Sequence, residues 1–185
     1  GDSMTEFSFV ECTASCVAAL AAGRPYLSEP ELVDAPIRRA VEYIRGTQHL
    51  NGSWPGAWGV RLIYGTMFGI RGLVAAGAPP TDPSLRKACN WLKARQCPDG
   101  SWGEAPGLCP GTKGGSTSPV DVYSEEAEGQ VVQTAWALSA LLEAQDPDWD
   151  VIERAARFLA NAQLGSGEWP KQAPTGVFFH TALLD

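Results

Sequence analysis

The sequence predicts an all-α fold of repeated helix pairs, a solenoid or a closed toroid, and three observations carry that prediction. The pattern Gln, three residues, Gly-x-Trp occurs three times, at Gln48 to Trp54, Gln96 to Trp102 and Gln163 to Trp169. Each copy closes an amphipathic stretch written to one recipe: RRAVEYIRGTQ, RKACNWLKARQ and ERAARFLANAQ. Runs with almost no charge alternate with these, opened by Thr13, Thr66, Thr134 and Thr181. One helix pair cannot bury its own apolar face, so repetition of this length requires stacked neighbours.

The outer helices follow from the first recipe. Aligned on the Gln, Ile37, Leu85 and Ile152 are followed by Ala40, Ala88 and Ala155, then Tyr43, Trp91 and Phe158, then Ile44, Leu92 and Leu159. Spacings of three, three and one put these positions on one helix face, predicting helices over about 35–47, 83–95 and 150–162. Asp34, Asp82 and Asp150 suit their starts. The Gly of each motif is expected to stop the helix, because Gly takes a left-handed backbone cheaply.

The inner helices come from the charge-poor runs, which should be buried on most sides. They are predicted over 5–23, 63–76 and 130–144, with Leu20, Leu73 and Leu141 seven residues after their Thr. A seventh helical segment is expected to begin at Gly176-Val177-Phe178-Phe179-His180. Pro25, Pro30, Pro79 and Pro80 mark connections, residues 104–129 form one long irregular loop, and Asp146-Pro147-Asp148 reads as a turn and cap.

Composition bounds the function. A chain of 185 residues with 44% hydrophobic and 19% charged residues is a globular domain. A net charge of -7 argues against nucleic acid as a partner. No apolar run is long enough to span a membrane and no signal peptide is visible, so a cytoplasmic location is expected. Residues 1–4 read as an expression scar, leaving 5–185 as one domain. The five Cys fit a reducing compartment; with His49 and His180 the available imidazoles and no CxxC spacing, they read as buried thiols, with neither metal nor cofactor expected.

The three Gln-Trp pairs read as structural clamps, with the Trp covering the end of the preceding helix and the Gln amide bonding a neighbouring helix end. Chemistry should instead reside on the inner helices, where Phe9, Tyr64, Phe68, Trp136 and Phe178 could form an aromatic cavity wall able to hold a hydrocarbon and stabilise cations. Ordinary core packing is the competing reading. Glu11 is the one weak candidate acid, and Arg61, entering an apolar helix, should find a carboxylate or solvent, with Glu11 as a possible partner.

With these turns, the strings VECTAS, GSWPGAWGV-x3-YGT, PDGSWGE, QTAWAL and TGVF make the chain resemble the C-terminal portion of the triterpene cyclases, the oxidosqualene and squalene–hopene cyclase family. The resemblance implies a partial α/α toroid of alternating inner and outer helices around an apolar cavity. It also implies a squalene or oxidosqualene-like polyprene as substrate, no cofactor, and peripheral, monotopic membrane contact in the full-length protein. By motif match, Phe9, Trp136 and Phe178 fall at cavity positions. The family's protonating Asp belongs to a motif upstream of this stretch, and Arg61 stands where many oxidosqualene cyclases carry Cys.

Other readings are a protein prenyltransferase β-subunit-like toroid, for which no zinc set can be assembled, and a cyclase-like toroid that only binds lipid or protein. Seven helical segments would fill part of a ring, so self-association or a large apolar patch is expected, alongside contact with the remainder of a cyclase chain.

Overall fold

The computed structural model describes residues 8–104, 128–178 and 182–184. Its helices are α1 (Val10–Gly23), α2 (Asp34–Gly46), α3 (Leu62–Ala75), α4 (Pro83–Lys93), α5 (Val131–Glu143) and α6 (Trp149–Ala162). Short 3-10 turns at Arg24–Tyr26 and Pro30–Val33 join α1 to α2, as Pro25 and Pro30 dictate. The charge-poor helices α1, α3 and α5 pack side by side in one row, and α2, α4 and α6 lie outside them. The alternation read from the sequence is thus the architecture. Entry residue Phe7, most of the irregular loop (105–127) and Thr181 lie outside the described residues.

Amphipathicity separates the layers. Between α2 and α6, helix α4 buries Leu85, Ala88, Trp91 and Leu92, while the matching Ile37, Ala40 and Tyr43 of α2 are half-buried. The inner row behaves alike: Thr66, Leu73, Thr134 and Leu141 are buried, whereas Thr13 and Leu20 on α1 are half-buried. The core is continuous from Val17 of α1 through Ile63 and Ile70 of α3 to Leu141 of α5 and Ala155 of α6.

Two of the repeated motifs are built alike. Trp54 and Trp102 are fully buried, and their indole N–H groups donate to the Ile44 and Leu92 carbonyls at 2.7 and 2.8 Å, satisfying last-turn carbonyls of α2 and α4. Their backbone N–H groups donate to Thr66 Oγ1 at 3.1 Å and Thr134 Oγ1 at 2.9 Å, which explains why a Thr opens each inner helix. Gln48 Nε2 donates to the Gly52 carbonyl at 2.9 Å and to that of Ser84, in the first turn of α4, at 3.0 Å. Gln96 repeats this with Gly100 at 3.0 Å and Val151, in the first turn of α6, at 2.9 Å. Each motif thereby ties one outer helix, the next outer helix and an inner helix together.

Four expectations are corrected. The motif glycines do not stop the outer helices, which end earlier, at Gly46, Lys93 and Ala162. Their positive φ closes the turn, and a Cβ on Gly52 or Gly100 would lie 2.5 Å from the Lys87 or Arg154 carbonyl oxygen of the next outer helix. Of the three acidic starts only Asp82 caps its helix, accepting from Ser84 and Leu85 N–H. Asp34 and Asp150 lie inside the first turn, where a negative charge suits the helix dipole, and pair with Arg24 and Arg154. The third motif is incomplete: Gln163 Nε2 reaches the Gly167 carbonyl at 2.9 Å, but Trp169 is 47% exposed.

The fourth correction concerns the seventh helical segment. Residues Gly176–Phe178 (β1) and Ala182–Leu184 (β2) form an antiparallel pair, with Val177 opposite Leu183. Val60 N–H donates to the Thr175 carbonyl at 2.8 Å and Gly59 bridges Gly176, which holds the chain extended where a helix would start. So few residues are too short for a helix to form unaided, and Val, Phe and Leu pair readily as strand.

The burial contrast predicts a stability contrast. Trp102→Ala should cost about 3–5 kcal/mol, as a buried aromatic does, and Trp169→Ala about 1 kcal/mol or less, as an exposed position does. Urea unfolding of both variants checks this, and equal losses would mean that the clamps do not carry the fold.

Candidate active-site wall

Three of the five expected cavity aromatics come together. Tyr64 and Phe68 lie one turn apart on α3 with ring centroids 5.0 Å apart, edge to face, and Trp136 of α5 lies 5.1 Å from Tyr64. All three are half-buried. The backbone of the elaborated first turn rests on the Tyr64 ring: a Cβ on Gly56 or Gly59 would fall 2.3 or 2.5 Å from it. Arg71, one turn below Phe68, stacks 5.8 Å from the Phe68 ring centroid while its guanidinium holds Glu143 of α5 at 2.7 Å. Helices α3 and α5 are thereby joined along the aromatic face, and the hydrogen bond to Glu143, helped by its charge, raises the Arg71 pKa against the lowering effect of burial.

The remaining aromatics stand elsewhere. Phe9, at the start of α1, lines a cleft of about 260 Å³ with Tyr43, Pro55, Ala57 and Arg61. The backbone of Phe178 belongs to β1, opposite Ala182, and its side chain lies outside what the structure describes.

Two buried carboxylates organise the entrance to this wall. Glu11 Oε1 accepts from Ala57 N–H at 2.6 Å and Trp58 N–H at 3.1 Å, while its Oε2 is buried without a hydrogen-bond partner. The expected pairing of Glu11 with Arg61 is therefore not made: turn amides reach Glu11 first, and the carboxylate at Arg61 is Glu104. Glu104 accepts from the backbone N–H groups of Arg61, Leu62 and Ile63 at 2.7, 3.0 and 2.9 Å, caring for the open N–H groups at the start of α3. Its own N–H donates to Gln133 Oε1, and Gln133 Nε2 donates to the Val60 carbonyl at 3.3 Å. Arg61 Nε is buried without a hydrogen-bond partner.

Sequence reasoning missed Glu104 and Gln133. Glu104 stands two residues past a motif Trp, and Gln133 is a wholly buried amide in a charge-poor helix; a polar residue in such a place signals a backbone group in need of a partner. Asp146 is better anticipated: it accepts from Asp148 N–H at 3.0 Å, forming the expected turn, and pairs with Lys93 at 3.1 Å. The thiols divide. Cys89 is buried, and burial first, with the Asp146 charge second, pushes its pKa up to about 11. Cys16, expected to be buried, is exposed, with no described residue covering that side of α1.

Burial raises the Glu104 pKa above its ordinary 4.5, against the pull of its three N–H donors and Arg61. A raised folded pKa means that the native state binds the proton more tightly, so this contribution is fully present below the ordinary value and is lost as pH rises through the folded one. The stability advantage of the native chain over Glu104→Gln should thus be largest below the ordinary value of 4.5 and shrink as pH rises above it. Urea titrations of both proteins on either side of that value test it; an advantage growing with pH would mean that the helix N–H groups outweigh burial.

Residues 2–184 match the family model of the squalene-hopene cyclase C-terminal domain. The chain is 37% identical over 187 residues to lanosterol synthase of Saccharomyces cerevisiae, covering 100% of this chain and 24% of that protein. It is 40% identical over 184 residues to cycloartenol synthase of Dictyostelium discoideum, covering 98% and 25%. A probable squalene–hopene cyclase of Sinorhizobium fredii is 36% identical over 171 residues, covering 91% and 24%. The chain thus spans about a quarter of the length of these relatives. In fold it is similar to ent-copalyl diphosphate synthase from Streptomyces platensis, with a TM-score of 0.72 at 18% identity over 96% of this chain and 31% of that one. The comparisons lend no support to a prenyltransferase-like or binding-only toroid. With the repeated clamps and the family match in agreement, this chain belongs to the squalene-hopene cyclase C-terminal domain family.

Proposed function

We propose that this chain forms part of the cavity wall of a triterpene cyclase, which folds a squalene or oxidosqualene-like polyprene and closes its rings through carbocations. The observation that carries this is the set of Tyr64, Phe68 and Trp136, in which the Phe68 and Trp136 rings lie 5.0 and 5.1 Å from the Tyr64 ring on neighbouring inner helices. Their negative π-faces favour a cation over a neutral hydrocarbon, so they act on charge that develops during reaction. Phe9 and Phe178 extend the wall in this reading. Relatives named lanosterol synthase, cycloartenol synthase and squalene–hopene cyclase support the substrate class.

The wall does not supply the initiating proton. Both oxygens of Glu104 and one of Glu11 are engaged by backbone N–H groups, and an acid must present its proton to a substrate carbon or oxygen. Protonation in this reading falls to an acid contributed by other parts of a longer cyclase. Among the described residues no helix is long and apolar enough to cross a membrane. Peripheral contact with a bilayer, from which an apolar polyprene would be drawn, remains part of the proposal for the full-length protein.

Two measurements test this. A polyprene carrying a tertiary ammonium should bind about fivefold more tightly than its neutral isostere, the equivalent of about 1 kcal/mol of cation–π attraction, and Trp136→Leu should remove the preference. Equal affinities for the two ligands would defeat the aromatic-wall reading. Incubated alone with squalene or oxidosqualene, the chain should yield no cyclised product; a product that disappears in Glu11→Gln would make Glu11 the acid.

A further inference from the structure

The second repeat departs from the first at two positions that touch each other. Two residues after the motif Trp stands Gly56 in the first repeat and Glu104 in the second. One residue before the Thr that accepts from that Trp stands Gly65 in the first and Gln133 in the second. In the first repeat the pair meets backbone to backbone: a Cβ on Gly65 would lie 2.5 Å from the Gly56 nitrogen. In the second it meets through a side chain, the Glu104 N–H donating to Gln133 Oε1. The fold thus closes this junction once with no polar side chain at all. A wholly buried amide in the same place is costly unless both of its ends are bonded.

Both ends are bonded, and to different elements. Gln133 Oε1 holds Glu104, whose carboxylate caps the start of α3 through the N–H groups of Arg61, Leu62 and Ile63. Gln133 Nε2 donates to the Val60 carbonyl at 3.3 Å, in the turn that leads into α3. The Val60 N–H donates in turn to the Thr175 carbonyl at 2.8 Å, just before β1. Gln133 therefore fastens α5 to the entrance of α3 twice, directly and through Glu104. The rings stand close to these anchors. Tyr64 follows Ile63, Trp136 lies about one helical turn beyond Gln133, and the two ring centroids are 5.1 Å apart. Arg71 and Glu143 join the same helices further on, but as a partly exposed pair, which is weak.

We propose that Gln133 is a positioning residue of the aromatic wall: by holding Glu104 and Val60 together it fixes the spacing of the Tyr64 and Trp136 rings, and with it the selectivity of the wall for a cation over a neutral hydrocarbon. This rests on the wall reading of Tyr64, Phe68 and Trp136. Cation–π attraction acts within about 6 Å of a ring centroid, so a slide of α5 along α3 that parted the rings would weaken the grip on a cation. Contact with hydrocarbon is not directional and would persist.

The test compares the whole chain with two variants. Gln133→Met keeps the length of the side chain and removes both hydrogen bonds, and Gln133→Asn keeps the amide one methylene shorter. The probes are a polyprene carrying a tertiary ammonium and its neutral isostere. The preference of about fivefold for the ammonium should fall to under about twofold in both variants, with affinity for the neutral isostere unchanged. The near-ultraviolet circular dichroism band that the chain loses on Trp136→Leu should weaken in both. Gln172→Met is the control, because Gln172 accepts from the Val131 N–H at 2.7 Å and donates to the Gly129 carbonyl at 3.2 Å. Its loss loosens the start of α5 without removing a bond to Glu104 or Val60, and should leave preference and band in place. A preference that survives in both Gln133 variants overturns the proposal, as does one lost equally in Gln172→Met. Equal affinities in the unaltered chain defeat the wall reading instead, and the Trp136 band then decides: weakened in the Gln133 variants it sustains the positioning role, unchanged it overturns it. Two Gln133 variants that do not fold, by far-ultraviolet circular dichroism, assign Gln133 to the fold alone and overturn the proposal too.

Discussion

The structure depends on one hydrogen bond made twice: the indole N–H of a motif Trp donating to the carbonyl four residues before the motif Gln, Ile44 for Trp54 and Leu92 for Trp102. A helix end inside a protein leaves carbonyls that must be satisfied, and an indole does this while burying a large apolar ring over the same spot. The Trp can then present its backbone N–H to the Thr that opens an inner helix, and the Gln amide can close its own turn and reach the next outer helix. Three elements are fixed by one heptapeptide. Small residues such as Gly69, whose absent side chain leaves room for the Trp54 ring, are the counterpart of that arrangement.

Buried charge is the second constraint, and it acts at the entrance of the inner row. A carboxylate out of water needs donors, and the start of α3 offers N–H groups in need of acceptors; Glu104 satisfies both at once. Because Glu104 lies two residues past the second motif's Trp102, it ties the entrance of α3 to the second repeat. Tyr64, one residue past Ile63, is set by the same cap, so the orientation of the aromatic cluster depends on it.

The repeat was legible because its physics is periodic. Helix faces recur at spacings that pattern alone reveals, and every helix from α1 to α6 lies within a few residues of its expected place, apart from the entry to α1 before residue 8. The clamps, read as structural, proved so in two copies. The edges were not legible: Trp169 has the same motif as Trp54, yet it is 47% exposed, with no described helix pair packed over it. The turn to strand at Gly176 arises from contacts with Gly59 and Val60, more than a hundred residues away, which no local pattern encodes. In the candidate site, Tyr64, Phe68 and Trp136 converged as spacing suggested. Glu104 escaped notice because its partners are backbone N–H groups, and backbone has no signature in sequence.

A division of labour follows from where the charges end. Acid catalysis requires a proton held ready at one point, whereas stabilising a migrating cation requires many weakly attractive faces spread along a wall. Carboxylates that serve as helix caps are poor donors, because their oxygens are already occupied, and moving one would release the element it holds. Aromatic faces carry no such conflict: the Tyr64 ring both supports the Gly56 and Gly59 backbone and abuts Phe68 and Trp136. Under the proposed function, with Glu104 committed to capping α3 and the Tyr64, Phe68 and Trp136 rings half-buried, the wall's part would be to hold and steer a cation generated elsewhere. The fixed clamps behind α3 and α5 then matter chemically, since preorganised groups stabilise developing charge without reorganising at the moment it appears.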